Sequence, residues 1–447
     1  MKDKYYILLI LLHILLGILI FSFPFVSMIY AFLIPLVGLY YVIKNKNRNN
    51  EVLYVAAYIV GSEVFLRMTN GLFFYETGKY EVIIFVLLGF YYSGFSKNAL
   101  PMWIYLLLLL PAILISTETL NLNTDIRTQI AFNISGPVCL GIASIYCYNR
   151  VVLFSHLNTI LLLLALPILS TTVYLIFYTP ELKTVLTGTD SNFATSGGFG
   201  PNQVATVLGI GMFVFFSRIV LQSKSKLILV VNLIVLFNIT YRGLVTFSRG
   251  GMLTGFVIIL VLLLYVYLNS KEKGKLKLIS LFSIMSIALA LLWTYTSLQT
   301  EGLIDKRYAN KDAAGRSKED KLSGRSELWD TEIDVFMDNP TFGVGVGKAM
   351  EVRKDINGQN VASHSEVSRI ISEHGALGIL ALLILFFTPI ILYLDNKQNI
   401  YIFCFLLFWF LTINHAAMRI AAPAFVYALS LIKVRMVDDS INNSSIS

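Results

Sequence analysis

Long apolar runs almost empty of charge recur from one end of the chain to the other, at 5–22, 25–43, 52–68, 81–95, 99–115, 131–148, 155–177, 203–221, 226–241, 250–269, 278–297, 375–394, 399–414 and 420–434. Each approaches the roughly 20 residues that a helix needs to cross about 30 Å of hydrocarbon. Inside lipid every backbone N–H and C=O must find an internal partner, which leaves helices or a closed barrel. The runs are continuously apolar and do not alternate, so helices are expected. Hydrophobic residues make up 56% of the 447 and charged ones only 14%, more apolar surface than a water-soluble domain of this size could hide. The expected fold class is all-α, a polytopic membrane helix bundle of about 12 to 14 transmembrane helices forming a single domain.

The distribution of positive charge orients the bundle. With the N-terminus inside, the inner segments hold about seventeen basic residues, among them Lys44, Lys46, Arg48, Arg150 and the Lys271–Lys277 group. The short outer segments hold roughly seven: Arg67, Lys79, Arg127, Lys183, Arg242, Arg249 and Arg419. Lys and Arg are retained on the cytoplasmic side, so both termini are expected there. The same retention accounts for the net charge of +8 without nucleic acid as a partner. Cys139, Cys147 and Cys404 all lie in apolar runs and have neither metal-ligand spacing nor a disulfide framework. The first run ends in bulky, Pro-broken sequence from Phe21 to Phe25 with no small-residue cleavage site, so a retained first helix is expected.

One segment breaks the pattern. From 297 to 369 the chain carries eleven basic and thirteen acidic residues, and the helix count makes 298–369 a large extracytoplasmic, periplasmic loop. Long insertions of this kind are where function concentrates. Within it, Ser326 is placed to cap a helix with Trp329, Ile333 and Phe336 on one stripe, ending at Asp338-Asn339-Pro340. Ser363-His364-Ser365-Glu366 reads as a capping box whose helix runs on through Gly375 into the next span. Gly343 to Lys348 has glycines like a phosphate loop, but lacks its spacing and the Ser or Thr after Lys, so a chain-reversing turn is expected.

Several residues could carry chemistry there. His364 falls in a first helical turn, where unsatisfied amides disfavour imidazolium and Glu366 pulls the other way; a general base is weighed against a plain surface histidine. Arg242 and Arg249 flank the entry to a span, in Tyr241-Arg242-Gly243 and Ser248-Arg249-Gly250-Gly251. Interfacial arginines usually anchor, but on the outer side beside paired glycines a guanidinium also suits a diphosphate. Arg325, beside a helix N-terminus, could complete an anion site or be one more solvated loop charge. Glu63 with Arg67, and His415 with Arg419, stand four apart and can pair or support. Asp330, Glu332 and Asp334 alternate, but on a helix they splay, so no metal site is expected. An acidic pair early in the chain, as in metal-dependent oligosaccharyltransferases, is missing from the first outer turn near Phe23.

Taken in order, Gly198-Phe199-Gly200-Pro201-Asn202-Gln203, then Ser248-Arg249-Gly250-Gly251, Gly324-Arg325-Ser326-Glu327-Leu328-Trp329, Asn339-Pro340-Thr341-Phe342-Gly343-Val344-Gly345, His364-Ser365 and Glu373-His374-Gly375-Ala376-Leu377-Gly378 form an ordered set. That set resembles the O-antigen ligase and polymerase superfamily over residues 195–380. The resemblance implies a glycosyltransferase C-like bundle and an inverting enzyme without metal or other cofactor. Its donor would be a glycan on undecaprenyl diphosphate, its acceptor a hydroxyl of lipid A–core or of another glycan or protein. The resemblance implies that residues matching Arg249 and Arg325 hold the diphosphate and that His364 activates the acceptor; from the residues themselves Arg242 joins the diphosphate set, and Glu373 and Trp329 are supporting candidates. Members often carry Asn after the histidine, where this chain has Ser365. A ligase-type enzyme is the first expectation and a polymerase of lipid-linked repeats the second. A lipid-linked glycan transporter or an assembly scaffold is the reading from another class; transporters usually show internal symmetry, and no matching halves occur here.

Overall fold

The computed structural model describes residues 3–121, 123–318, 325–358, 363 and 365–436, with the backbone alone at 325–327, 356 and 357. Among them are seventeen α-helices and one small parallel sheet, β1 (Val151–Leu153) against β2 (Lys433–Arg435). All fourteen apolar runs fall on helices, the last shortened to α17 (Ala422–Leu429). Among the described residues ten helices are long and apolar enough to cross a membrane unaided: α1 (Asp3–Ser22), α2 (Val26–Asn45), α5 (Leu100–Thr119), α6 (Ile126–Cys147), α7 (Phe154–Tyr178), α8 (Pro201–Leu221), α9 (Lys226–Leu244), α10 (Arg249–Leu268), α11 (Glu272–Gln299) and α15 (Glu366–Asp395). The chain is an all-α polytopic membrane protein. Of the other apolar helices, α3 (Glu51–Met68) carries Glu63 and Arg67, which pair at 2.5 Å away from solvent. α4 (Thr77–Ser93), α16 (Ile402–Ile413) and α17 are short. The polar segment holds α12 (Leu303–Tyr308), α13 (Arg325–Asp338) and α14 (Lys348–Asn357). Large apolar side chains stand exposed along α1, α2, α5 and α11, as faces turned to lipid would.

The chain divides into two compact units, residues 1–37, 57–75 and 160–321 in the first and 38–56, 76–159 and 322–447 in the second. In the first, α8 is the central helix, buried almost throughout. α10 lies against it through glycines: a Cβ on Gly251 would sit 2.3 Å from the carbonyl carbon of Ala205, and one on Gly255 2.6 Å from the Gly209 oxygen. Hydrocarbon offers helices no hydrophobic drive to associate, so backbone-to-backbone packing over small residues takes its place. Neighbouring α11 has only Thr296 buried. In the second unit α17 is buried at every residue, and its Tyr427 hydroxyl donates to the Leu385 carbonyl of α15 at 2.7 Å. Pro137 interrupts α6, and the Tyr105 hydroxyl of α5 donates to its carbonyl at 3.2 Å.

The expected single helix through Gly375 is instead two helices meeting at a break. Gly375 adopts φ 62° and ψ −143°, a region open only to glycine. A side chain there would meet the Gly343 nitrogen at 2.6 Å, and the Ala376 N–H donates to the Pro340 carbonyl at 2.7 Å. The break lets the glycine turn close against the helix.

Candidate functional site

In the first unit the end of α9 turns sharply into α10. Phe247 makes that turn at φ 58°, a costly conformation for an aromatic residue, and its ring is held in a core with Leu182, Leu186, Val245 and Ile304. Ser248 follows, donating from its hydroxyl to Asn202 Oδ1 at 2.7 Å, and Arg249 opens α10. The Asn202 and Ser248 motifs are thus joined where α8 and α10 begin, and Gly251 allows their approach. Arg249 Nη1 donates to the Arg307 carbonyl at 3.3 Å, while Arg307 Nε donates to the Phe247 carbonyl at 2.9 Å. Tyr308 feels both guanidinium groups: burial, held back by them, pushes its hydroxyl up to about 12. Lys318 Nζ donates to Asp190 at 2.6 Å and holds its carboxyl below the ordinary aspartate range, and Arg307 stands 3.6 Å from the same oxygen. Three cations therefore gather at this end with one carboxylate between two of them.

Arg242 is turned another way. It donates to the Thr179 and Ile176 carbonyls at 3.0 and 3.4 Å, closing the C-terminal end of α7. Below the cation cluster lies an apolar slot of about 380 Å3, walled by Phe216, Phe237, Phe256, Leu260, Phe282 and Trp293. Trp293 joins the two features. Its ring packs edge-on to Tyr308 at 4.9 Å, and its Nε1 donates to Asp305 at 2.7 Å.

The second unit holds a buried ionic network around Ser363 and Ser365. Glu332 of α13 pairs with Arg353 of α14 and accepts from the hydroxyls of Ser363, at 3.2 Å, and of Ser368. Burial raises the Glu332 carboxyl above its ordinary range against the pull of Arg353. Arg419 Nη2 donates to the Ser363 carbonyl at 3.1 Å and its guanidinium lies 4.1 Å from the Phe132 ring centre. Ser365 caps α15 by accepting from the Ser368 N–H at 3.4 Å. Arg369 bridges Glu366 and Glu373, and Glu373 Oε1 accepts the Gly347 N–H at 2.8 Å. The glycine turn, with Gly343, Gly345 and Gly347 all at positive φ, closes against this helix: the Val344 and Gly345 N–H groups donate to the Ser372 and Glu373 carbonyls at 3.1 Å each. His374, buried beside the break, has neither ring nitrogen hydrogen-bonded among the described residues.

Arg249 and Arg242 thus lie in the first unit, and Arg325 and Glu373 in the second. Arg325 is the first residue of α13, one before the expected Ser326 cap, and its side chain lies outside the described residues. His364 also lies outside them. The cap of α15 is Ser365, with Glu366 as the first helical residue, and not Ser363 two residues earlier; Ser363 is engaged by Glu332 instead. The expected stripe of α13 is rotated. Leu328, Thr331, Glu332 and Val335 face inward, while Trp329 is 39% exposed, because the Glu332–Arg353 pair draws that face under. Glu373 is a network member at full burial.

Sequence reasoning missed Arg307, Glu332, Arg353 and Arg369. Glu332 could have been found as the one acid at helical spacing between Leu328 and Val335. Arg307, in Lys306-Arg307-Tyr308, looks like any loop charge, and only the fold brings it to Arg249. Among the described residues no three His, Cys, Asp or Glu side chains gather closely enough to hold a metal ion.

Residues 233–383 match the family described as O-antigen ligase, which supports the resemblance to that superfamily and covers Arg249, Arg307 and the glycine turn. The family implies an O-antigen ligase or polymerase-like membrane glycosyltransferase. No curated protein matches the chain.

Proposed function

We propose that this protein of the O-antigen ligase superfamily transfers a glycan from undecaprenyl diphosphate to an acceptor hydroxyl at the extracytoplasmic face of the inner membrane, as a ligase. The observation that carries the reading is the cation cluster of Arg249, Arg307 and Lys318 at the head of an apolar slot, a pairing that fits a diphosphate on a prenyl chain.

The acceptor oxygen attacks the anomeric carbon from the face opposite the diphosphate, forming the new glycosidic bond with inversion. The bond from that carbon to the diphosphate oxygen breaks, and its electron pair leaves with the diphosphate. Arg249 and Arg325 stabilise the charge that develops there, with Arg307 beside Arg249; fixed guanidinium groups in a site of low dielectric do this without reorganising. His364 takes the proton from the acceptor hydroxyl. The diphosphate is itself an activated leaving group, so no nucleotide is needed on this side of the membrane. Glu332, itself paired with Arg353, and Arg419 hold Ser363, the residue before His364 in the chain.

The test is the purified full-length protein in liposomes with a defined polyprenyl-diphosphate glycan and lipid A–core, the products read by mass spectrometry. Wild type should give glycan on the core acceptor, and Arg249→Ala, Arg325→Ala and His364→Ala should each give none while still inserting. Near-normal transfer by His364→Ala removes that residue from the base role. Joined repeats still on the lipid would identify a polymerase, and movement of donor across the bilayer without transfer would identify a transporter.

A further inference from the structure

A second cavity is one that the reaction above does not use. It lies in the second unit, where α2, α4 and α6 end, with a volume of about 520 Å3. Lys46, Arg48 and Arg150 line it together with Asn47, Asn149 and Tyr148, and no carboxylate does. Here three cations face one concavity, and no ion pair to any of them occurs among the described residues.

The cavity is built, not merely left over. All three helices end in left-handed backbone around it: Lys46, Asn47 and Asn50 after α2, Gly94 after α4 and Asn149 after α6. Asn47 ties the ends together, donating to Ser93 Oγ at 2.9 Å and to the Tyr146 hydroxyl at 2.8 Å. Arg150 is fixed by donating to the Tyr146 and Gly94 carbonyls at 2.8 and 2.6 Å and to Asn50 Oδ1 at 3.3 Å, with its guanidinium 3.8 Å from the Tyr146 ring centre. These bonds use three of its five N–H donors and leave two. Preorganised donors of this kind suit an anion with several acceptor oxygens.

The charge bias of the loops puts this end on the cytoplasmic side, level with the headgroups. The volume is many times the ~30 Å3 share of one water, enough for a phosphate with its glycerol. Tyr92 and Phe95 line it as well and stand at the level where aromatic residues meet the membrane interface. Basic pockets between membrane helices on this side take anionic lipid headgroups. We propose that the bowl formed by Lys46, Arg48 and Arg150 at the ends of α2, α4 and α6 binds the phosphate of an anionic phospholipid headgroup from the inner leaflet.

The test is native mass spectrometry of the full-length protein released from nanodiscs of phosphatidylcholine and phosphatidylglycerol, with inorganic phosphate as a separate arm. Lys46→Asn/Arg48→Gln keeps a residue suited to left-handed backbone at 46 and leaves Arg150, which holds the turns, in place. Wild type should retain phosphatidylglycerol over phosphatidylcholine, and the double variant should lose that preference by roughly thirtyfold, from the worth of two cations beside an anionic headgroup. Lys275→Gln, basic but outside the bowl, should behave as wild type. Equal retention of the two lipids by wild type, or unchanged preference in the double variant, overturns the proposal. So does thermal stabilisation by inorganic phosphate alone with none by phosphatidylglycerol, which would make the ligand a free ion. Glycan transfer is not the readout, so the result stands apart from the proposed activity.

Discussion

Glu332 shows how a single side chain can set the face of a helix. On α13 it sits among Leu328 and Val335, and it is tolerated there because Arg353 and two serine hydroxyls satisfy it. Removing one partner of such a pair leaves a buried charge uncompensated, at a cost of about 3–5 kcal/mol. Glu332→Leu and Arg353→Met should each lower stability on that scale in detergent denaturation, and the double variant should lose far less than their sum. Additive losses would mean that the two charges do not depend on each other. An alternation of acids in sequence made Asp330, Glu332 and Asp334 look equivalent; burial separates Glu332 from the other two. Helical spacing from Leu328 and Val335 singles out Glu332 locally, but its partner Arg353 is supplied by another helix.

Between helices, closeness of approach is what places the arginines. Gly251→Leu would drive a side chain into the backbone of α8, and an overpacked contact of this kind costs about 1–3 kcal/mol or more. The variant should melt lower and lose transfer, whereas Leu253→Ala, two residues on and 49% exposed, should stay within about 0.5 kcal/mol of wild type. The slot between α8, α9, α10 and α11 makes its own prediction. Ala290→Trp, in the slot wall, should raise KM for the undecaprenyl donor by about tenfold, the worth of roughly two buried methylenes, and leave short-prenyl donors unaffected. Leu291→Trp, 68% exposed on the neighbouring face of α11, should do neither. Equal effects on long and short donors would take the prenyl chain out of the slot. The glycines of Ser248-Arg249-Gly250-Gly251 were legible as a place of close approach, but which helix approached was not.

For the molecule as a whole the proposed activity depends on the polar segment facing outward. Cys139, Cys147 and Cys404 are buried, so introduced cysteines can be read against a quiet background. Lys311→Cys should react with an impermeant maleimide added to spheroplasts, and Lys397→Cys only after the membrane is opened; the reverse pattern would place the arginine cluster on the wrong side. That the chain is a helical membrane bundle with one large polar segment was determined by sequence alone. Lipid cannot satisfy an open backbone, so span length and apolarity are local properties that one dimension records. The ordered motifs between 195 and 380 likewise pointed to the family without coordinates. Only the tertiary structure decided that Arg307 stands beside Arg249, that α13 turns Glu332 inward, that α15 breaks at Gly375 and that Lys46, Arg48 and Arg150 share one cavity. Each of these depends on residues from separate helices, whose meeting is set by packing and charge pairing across the fold and leaves no periodic trace along the chain.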